Sequence, residues 1–247
     1  MPFDFSPLWI SLETALTATA LTVVLGLAAA GWRSGRRSRV WELFDGALLL
    51  PLVLPPTVVG FFLLVMFGRT GPIGRLLWHL GMTVVFSWPA TVIAATVVAF
   101  PLMYLTTRGA LDLIDSSMLE AARTLGASEW EVFLSITLPL AWPGILAGAV
   151  LSFARALGEF GATLMLAGNI PGRTETIPIA IFFAIEAGDM RQALGWTAVV
   201  LVISIAVLAA LGAWTRYQRA YLVRGPARRA PADVSANNRP ANQIGAE

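Results

Sequence analysis

Residues 116–139 read SSMLEAARTLGASEWEVFLSITLP, a charged, capped segment set between two long apolar runs, and that contrast decides the fold. Before it lies the run Thr83 to Leu105, and after it a run from Ala141 to about Ala167 that holds two charges. Each meets the roughly 20 apolar residues that a helix needs to cross a hydrocarbon core about 30 Å thick. Inside the quoted segment, Ser117 with Glu120 forms one capping-box signature and Ser128 with Glu131 a second, each placed to satisfy the orphan N–H groups of a helix start. Gly126 stands between them, suited to a left-handed helix stop. The pattern predicts a helix, a sharp turn and a short helix, ended by Pro139, with the chain re-entering the membrane near Pro143. The short helix carries Trp130, Phe133, Leu134 and Ile136, with Glu129 and Glu131 in its first turn, where the helix dipole favours acids. From periodicity alone, such an amphipathic segment either lies on the membrane surface, caps its own bundle or docks a partner.

Working outward, three further runs qualify as spans: Trp9 to Ala30, Ala47 to Phe67 and Gly195 to Trp214. Five crossings of an all-α integral membrane protein put the termini on opposite sides. Composition agrees, since 57% of the 247 residues are hydrophobic and only 13% charged, where soluble domains carry about 25%. All 17 basic residues are arginines. Twelve fall on one side: Arg33, Arg36, Arg37 and Arg39 in the first loop, Arg108 and Arg123 in the third, and six in the tail. Four fall on the other: Arg69, Arg75, Arg173 and Arg191. The positive-inside rule therefore places the N-terminus outside and the C-terminus in the cytoplasm. Ala28-Ala29-Ala30 looks like a signal cleavage site, but Asp4 and the lack of a preceding positive charge argue for a retained helix. The apolar stretch Ile177 to Ile185, interrupted by Pro178, is too short to cross and reads as re-entrant or interfacial. The expected organisation is a transmembrane domain over 1–218, with a cytoplasmic loop at about 106–140, and a disordered cytoplasmic tail over 219–247.

Counting excludes several chemistries. With no Lys there is no P-loop lysine and no Schiff base, so ATP and magnesium are not expected on this chain. With no Cys and one His, His79, no metal site and no disulfide framework is expected. A net charge of +2 gives no reason to expect nucleic acid as a partner.

Within the apolar runs, Arg155 and Glu159 stand four apart on one face of the predicted helix, and each would cost roughly 2.5 to 3.5 kcal/mol if isolated at the bilayer centre. They either lock the helix as a mutual ion pair or border a polar path for an anion, with Glu159 offsetting Arg155 so that the anion is released. Pro51, Pro55 and Pro56 break regular backbone bonding early in the second span. That break is either a packing kink or a border of the same path, with Thr57 offering a hydroxyl. Trp9, Trp32, Trp88, Trp196 and Trp214 fit an interfacial belt.

Glu120-Ala121-Ala122, then Gly126, then Ile136, Leu138 and Pro139 resemble the EAA motif of ABC-importer permeases, at the family spacing. Further segments resemble the molybdate transporter permeases: LPLVLPPTVVG at 50–60, GRTGPIG at 68–74, FSW at 86–88, AARTLGA at 121–127, FARALGEFGA at 153–162 and NIPG at 169–172. The resemblance covers roughly Trp9 to Trp214. It implies a type I importer permease fold in the inner membrane, working as a homodimer with two copies of a cytoplasmic ABC ATPase, which binds the ATP and magnesium, and with a periplasmic molybdate-binding protein. It also implies that Ala121 and Ala122 are small for close approach, that Gly126 makes the turn, and that Ala127, Ser128, Glu129, Trp130 and Phe133 belong to the helix that enters the ATPase. Glu120 would hold the turn together. Permeases for tungstate, sulfate or thiosulfate share much of this pattern. An intramembrane enzyme would need a nucleophile with a base, or a carboxylate pair, at membrane depth, and a scaffold would leave the cytoplasmic loop without a role.

Overall fold

A computed structural model of the chain describes residues 4–33 and 38–223. Among the described residues every regular element is helical: α1 Ser6–Arg33, α2 Arg39–Val53, α3 Pro56–Phe67, α4 Pro72–His79, α5 Trp88–Asp112, α6 Ser116–Thr124, α7 Glu129–Val132, a π-helical turn Phe133–Thr137, α8 Leu138–Leu157, α9 Gly161–Ala167, α10 Ile177–Glu186 and α11 Met190–Val223. The chain divides into two units, Met1–Val207 and Leu208–Glu247. Of the second unit the described part is the end of α11. Residues 224–247 of the expected tail lie outside the described residues, as do Arg36 and Arg37.

The first unit is organised around α5, whose Ala90, Ala94, Ala95 and Ala99 have no exposed surface. Helices associate in lipid chiefly through close van der Waals contact, so small residues collect where backbones approach. Here Ala15 and Ala18 of α1 and Ala156 of α8 meet Ala95 and Ala99 in one cluster. Gly26 of α1 lies against Met103, and Gly144 and Gly148 of α8 lie against Ala110 and Thr106. Inside this core the Thr14 and Thr91 hydroxyls pair across helices, 2.9 Å apart.

Among the described residues four helical stretches are long and apolar enough to cross a membrane, namely Ser6–Arg33, Trp88–Asp112, Glu129–Leu157 and Met190–Trp214, and the bent pair Arg39–Val53 and Pro56–Phe67 meets the same criterion only when taken together. Three expectations about these spans are corrected. The run Ala47 to Phe67 is not one helix: α2 and α3 meet at 112°. Pro55 and Pro56 lack N–H groups, so the α2 ladder closes with Leu54 N donating to Leu50 O and restarts with Val58 N donating to Pro55 O. The run from Ala141 to Ala167 is also broken, because α8 stops at Leu157 and α9 begins at Gly161.

Pro139, finally, does not end the short loop helix. The helix runs on through the π turn, where Leu138 N donates to Phe133 O, and Pro139 falls at the start of α8, where its missing N–H is tolerated. Likewise Pro178 opens α10 and does not interrupt it, while Ile177 N donates to Ser11 Oγ at 2.7 Å. Trp196 is fully buried with Ile177 and Ala180, so it is a core residue and no part of an interfacial belt.

Candidate functional site

The charged loop between α5 and α8 is shorter than 106–140, because α5 persists to Asp112. Its first helix is capped by Asp115, whose carboxylate accepts from Ser117 N at 2.9 Å, so the expected Ser117 cap is corrected. Asp115 comes earlier and its charge suits a helix N-terminus better than a hydroxyl; accepting that N–H also holds its carboxyl below the usual carboxylate range. The second box is present: Ser128 Oγ accepts from Glu131 N at 3.3 Å, and Glu131 accepts from Ser128 N at 2.8 Å. Those bonds from Ser128 lower the Glu131 carboxyl pKa.

The turn between the helices is a Schellman motif. Ala127 N donates to Ala122 O at 3.1 Å and Gly126 N to Arg123 O at 2.9 Å, with Gly126 at φ +90°. Nothing lies within 4 Å of where a Gly126 side chain would start. Glycine is required there by backbone conformation and not by space. Arg123 then clamps the two helices across the turn, with Nε donating to Glu129 Oε1 at 2.7 Å and Nη2 to Oε2 at 3.1 Å, which lowers the Glu129 carboxyl pKa. Glu120, expected to hold the turn together, is exposed, and its charge adds to that of Glu129 around the Arg123 guanidinium. Val132 turns inward and is buried, while Leu125 is 89% and Trp130 68% exposed, with Phe133 stacked on Trp130. Ala121 is exposed and Ala122 half-buried. The loop is thus internally rigid and presents an apolar tip on the arginine-rich side.

In the half of the bundle away from this loop the two broken helices meet. Arg155 sits in the last turn of α8, and Glu159 lies beyond its end, not inside a continuous helix as expected. They do pair, Nη1 to Oε2 at 2.8 Å. The other Glu159 oxygen accepts from Ala162 N at 2.7 Å, which satisfies a donor at the start of α9 and explains the break. Glu159 is 2% exposed, whereas the Arg155 side chain keeps 29% of its surface open.

Ala156 and Leu157 pack at the level of Ala95 and Ala99, about 10 to 16 Å along α5 from Trp88 at 1.5 Å per residue. The break therefore lies at membrane depth, in the half away from the loop. Facing it is the start of α3: Gly161 lies so close to Pro56 and Thr57 that an added Cβ would stand 3.2 Å from both. Pro55 and Thr57 are exposed beside it. The structure thus brings Pro56 and Thr57 against Gly161, two residues beyond the Glu159 that pairs with Arg155.

Gly60, one turn into α3, makes this contact possible, because a Cβ there would lie 2.7 Å from Ala162 Cα and 2.8 Å from Met165 Cβ. Gly60→Val is expected to force α3 from α9 and to destabilise the folded protein by about 1–3 kcal/mol, the usual cost of overpacking. A lowered melting temperature in detergent checks this.

Sequence reasoning missed a third group. Asp45 of α2 is buried and takes Arg33 Nε at 3.2 Å on each oxygen, Arg108 Nη1 at 2.7 Å and the Tyr104 hydroxyl. Its arginines, counted in the sequence only as loop charges that set orientation, belong to the ends of α1 and α5.

Comparison with known proteins identifies the family and the fold. Residues 22–218 match the family described as binding-protein-dependent transport system inner membrane component. The molybdenum transport system permease protein ModB of Haemophilus influenzae is 44% identical over 191 residues, covering 76% of this chain and 83% of that protein. ModB of Azotobacter vinelandii is 38% identical over 216 residues, covering 87% and 96%. Among solved structures, inward-facing MetNI, a methionine ABC transporter, superposes with a TM-score of 0.65 at 16% identity, covering 85% of this chain and 94% of that one. An amino acid ABC transporter gives 0.63 at 18% identity, covering 87% and 94%. At such identities the likeness concerns the fold.

Proposed function

The chain belongs to the family of binding-protein-dependent transport system inner membrane components, and from that premise we propose that it is the membrane-spanning permease of an ABC importer for molybdate. The observation that carries this reading is the rigid helix–turn–helix at Gly126 with its exposed Leu125 and Trp130. A clamped apolar tip is costly to leave in water and is suited to a cleft on another protein. The small side chain of the exposed Ala121 fits close approach of a partner. The proposed assembly is a homodimer carrying two copies of a cytoplasmic ATPase, with a periplasmic binding protein delivering the oxyanion. Molybdate is favoured over tungstate, sulfate or thiosulfate by the level of identity to permeases named for molybdenum.

In this reading the ATPase supplies the nucleotide chemistry and this chain supplies the path. Glu120, Ala121, Ala122, Gly126, Ala127, Ser128, Glu129, Trp130 and Phe133 form the element that enters the ATPase. Pro55, Pro56, Thr57, Arg155 and Glu159 border the translocation path. The partly open Arg155 guanidinium attracts a tetrahedral dianion, and Glu159 weakens that attraction enough for release. Because breaks in both α2–α3 and α8–α9 fall at this point, the backbone there can change angle without unwinding a continuous helix.

The test is purification of the chain from its native membrane. The expected result is an ATPase subunit in a one-to-one ratio, a binding protein that retains molybdate, and ATP-dependent molybdate uptake when the complex is reconstituted. Recovery with no ATPase, or uptake independent of ATP, would reject the proposal.

A further inference from the structure

We infer that Asp45 is a positioning residue for transport, the joint that passes movement of the Gly126 loop to the break at Pro55; the inference rests on the ATP-coupled reading above. Asp45 is the one buried residue among the 15 of α2. Val40, Leu43 and Val53 of the same helix are exposed. Apolar contact alone is non-directional and would let such a helix slide. A buried carboxylate shared by two guanidinium groups and a phenol holds a single register, since moving it away from its partners strands a charge in a poorly hydrated place.

The placement of those partners gives the joint its direction. Arg33 ends α1. Arg108 and Tyr104 lie near the end of α5, and Arg108 also reaches Asp112 at 3.6 Å. Asp112 is the last residue of α5, immediately ahead of the loop that opens α6 at Ser116. On the other side of the joint, α2 runs eight residues further to Val53 and then to the bend at Leu54 and Pro55, about 13 Å from Asp45 along the helix. The next element begins with Pro56 and Thr57 against Gly161, two residues from Glu159. A pull on the end of α5 by a docked motor is therefore handed to α2 at Asp45, and by α2, which stays helical through Pro51, to the place where the two broken helices meet. Physical coupling between distant sites needs such a contiguous chain of packed or ion-paired groups with rigid elements between them.

The test uses the whole transporter, with ATPase and molybdate-loaded binding protein, in proteoliposomes. The chain contains no cysteine, so Val53→Cys accepts a maleimide dye at an exposed position. In the otherwise unsubstituted protein the dye signal is expected to change when ATP and vanadate trap the ATPase. With Asp45→Asn added, ATP hydrolysis and subunit assembly are expected to persist while the dye response disappears and molybdate moved per ATP falls about tenfold. Tyr104→Phe, which leaves both arginines in place, is expected to keep most of the coupling. Should Asp45→Asn fail to assemble, Arg108→Gln leaves Arg33 and Tyr104 on the carboxylate and carries the same expectation at about threefold. A variant with the unsubstituted dye response and transport ratio overturns the inference. So does equal loss of hydrolysis and uptake together with a lowered melting temperature, which would make Asp45 a folding residue alone. No molybdate uptake by the unsubstituted complex would reject the functional reading, and the dye response to ATP would still decide the joint.

Discussion

Replacing Gly126 with valine is expected to leave the protein in the membrane and the partner ATPase active, while molybdate uptake falls by up to about thirtyfold. The figure follows from the backbone. Gly126 holds φ +90°, where a β-branched residue is strained by about 2 kcal/mol, a factor of about thirty in the equilibrium between the formed and unformed turn and so the upper bound on the loss. Losing the turn releases the bond from Ala127 N to Ala122 O and pulls Arg123 away from Glu129, so the tip bearing Leu125 and Trp130 no longer keeps one orientation. Gly126→Asn separates this explanation from a steric one. Asparagine tolerates the left-handed region, and nothing lies within 4 Å of the new side chain's first atom, so uptake with Asn should stay within about threefold of the unsubstituted protein. If both variants fail alike, the position serves the partner's surface and not the turn. If valine transports normally, the loop is not the coupling element.

The readable parts of this structure were those written in short-range chemistry. Gly126, the Ser128–Glu131 box and the acids of α7 are settled by residues within a few positions of each other, and three of the five apolar stretches, those at Trp9, Thr83 and Gly195, correspond to single long helices as their length implied. The Ser117 cap was misassigned because Asp115, two residues earlier, competes for the same orphan donors. The proline cluster announced an interruption at 51–56, but a bend of 112° depends on what α3 can pack against, and the contacts of Gly60 and Gly161 with α9 are remote in sequence. The break after Leu157 was hidden for a related reason. Arg155 and Glu159 have i,i+4 spacing, which reads as a continuous helix, and only the bond from Ala162 N to Glu159 distinguishes a helix end from a helix interior. Least legible was Asp45, since its partners lie 12, 59 and 63 positions away. A lone acid beside an apolar run carries no local sign of which arginines it will meet.

Neutralising Arg155 alone, as Arg155→Gln, is expected to reduce folded, membrane-inserted protein more than changing Arg155 and Glu159 together. Glu159 is 2% exposed and Arg155 is its ion-pair partner. Removing that partner leaves a buried carboxylate uncompensated, at a cost of about 3–5 kcal/mol. Glu159→Gln in the same chain removes the stranded charge, and its amide oxygen can still accept from Ala162 N, so the start of α9 stays satisfied.

A double-mutant cycle on thermal stability should therefore show a coupling energy of about 1–3 kcal/mol between the two positions, and strictly additive losses would reject the pairing. Transport should not follow stability. If the 29% of the Arg155 side chain left open is what attracts the dianion, the double variant recovers its folding but remains poor at uptake. Full recovery of uptake in the double variant would assign the pair to holding α8 against α9 and would remove Arg155 from the path.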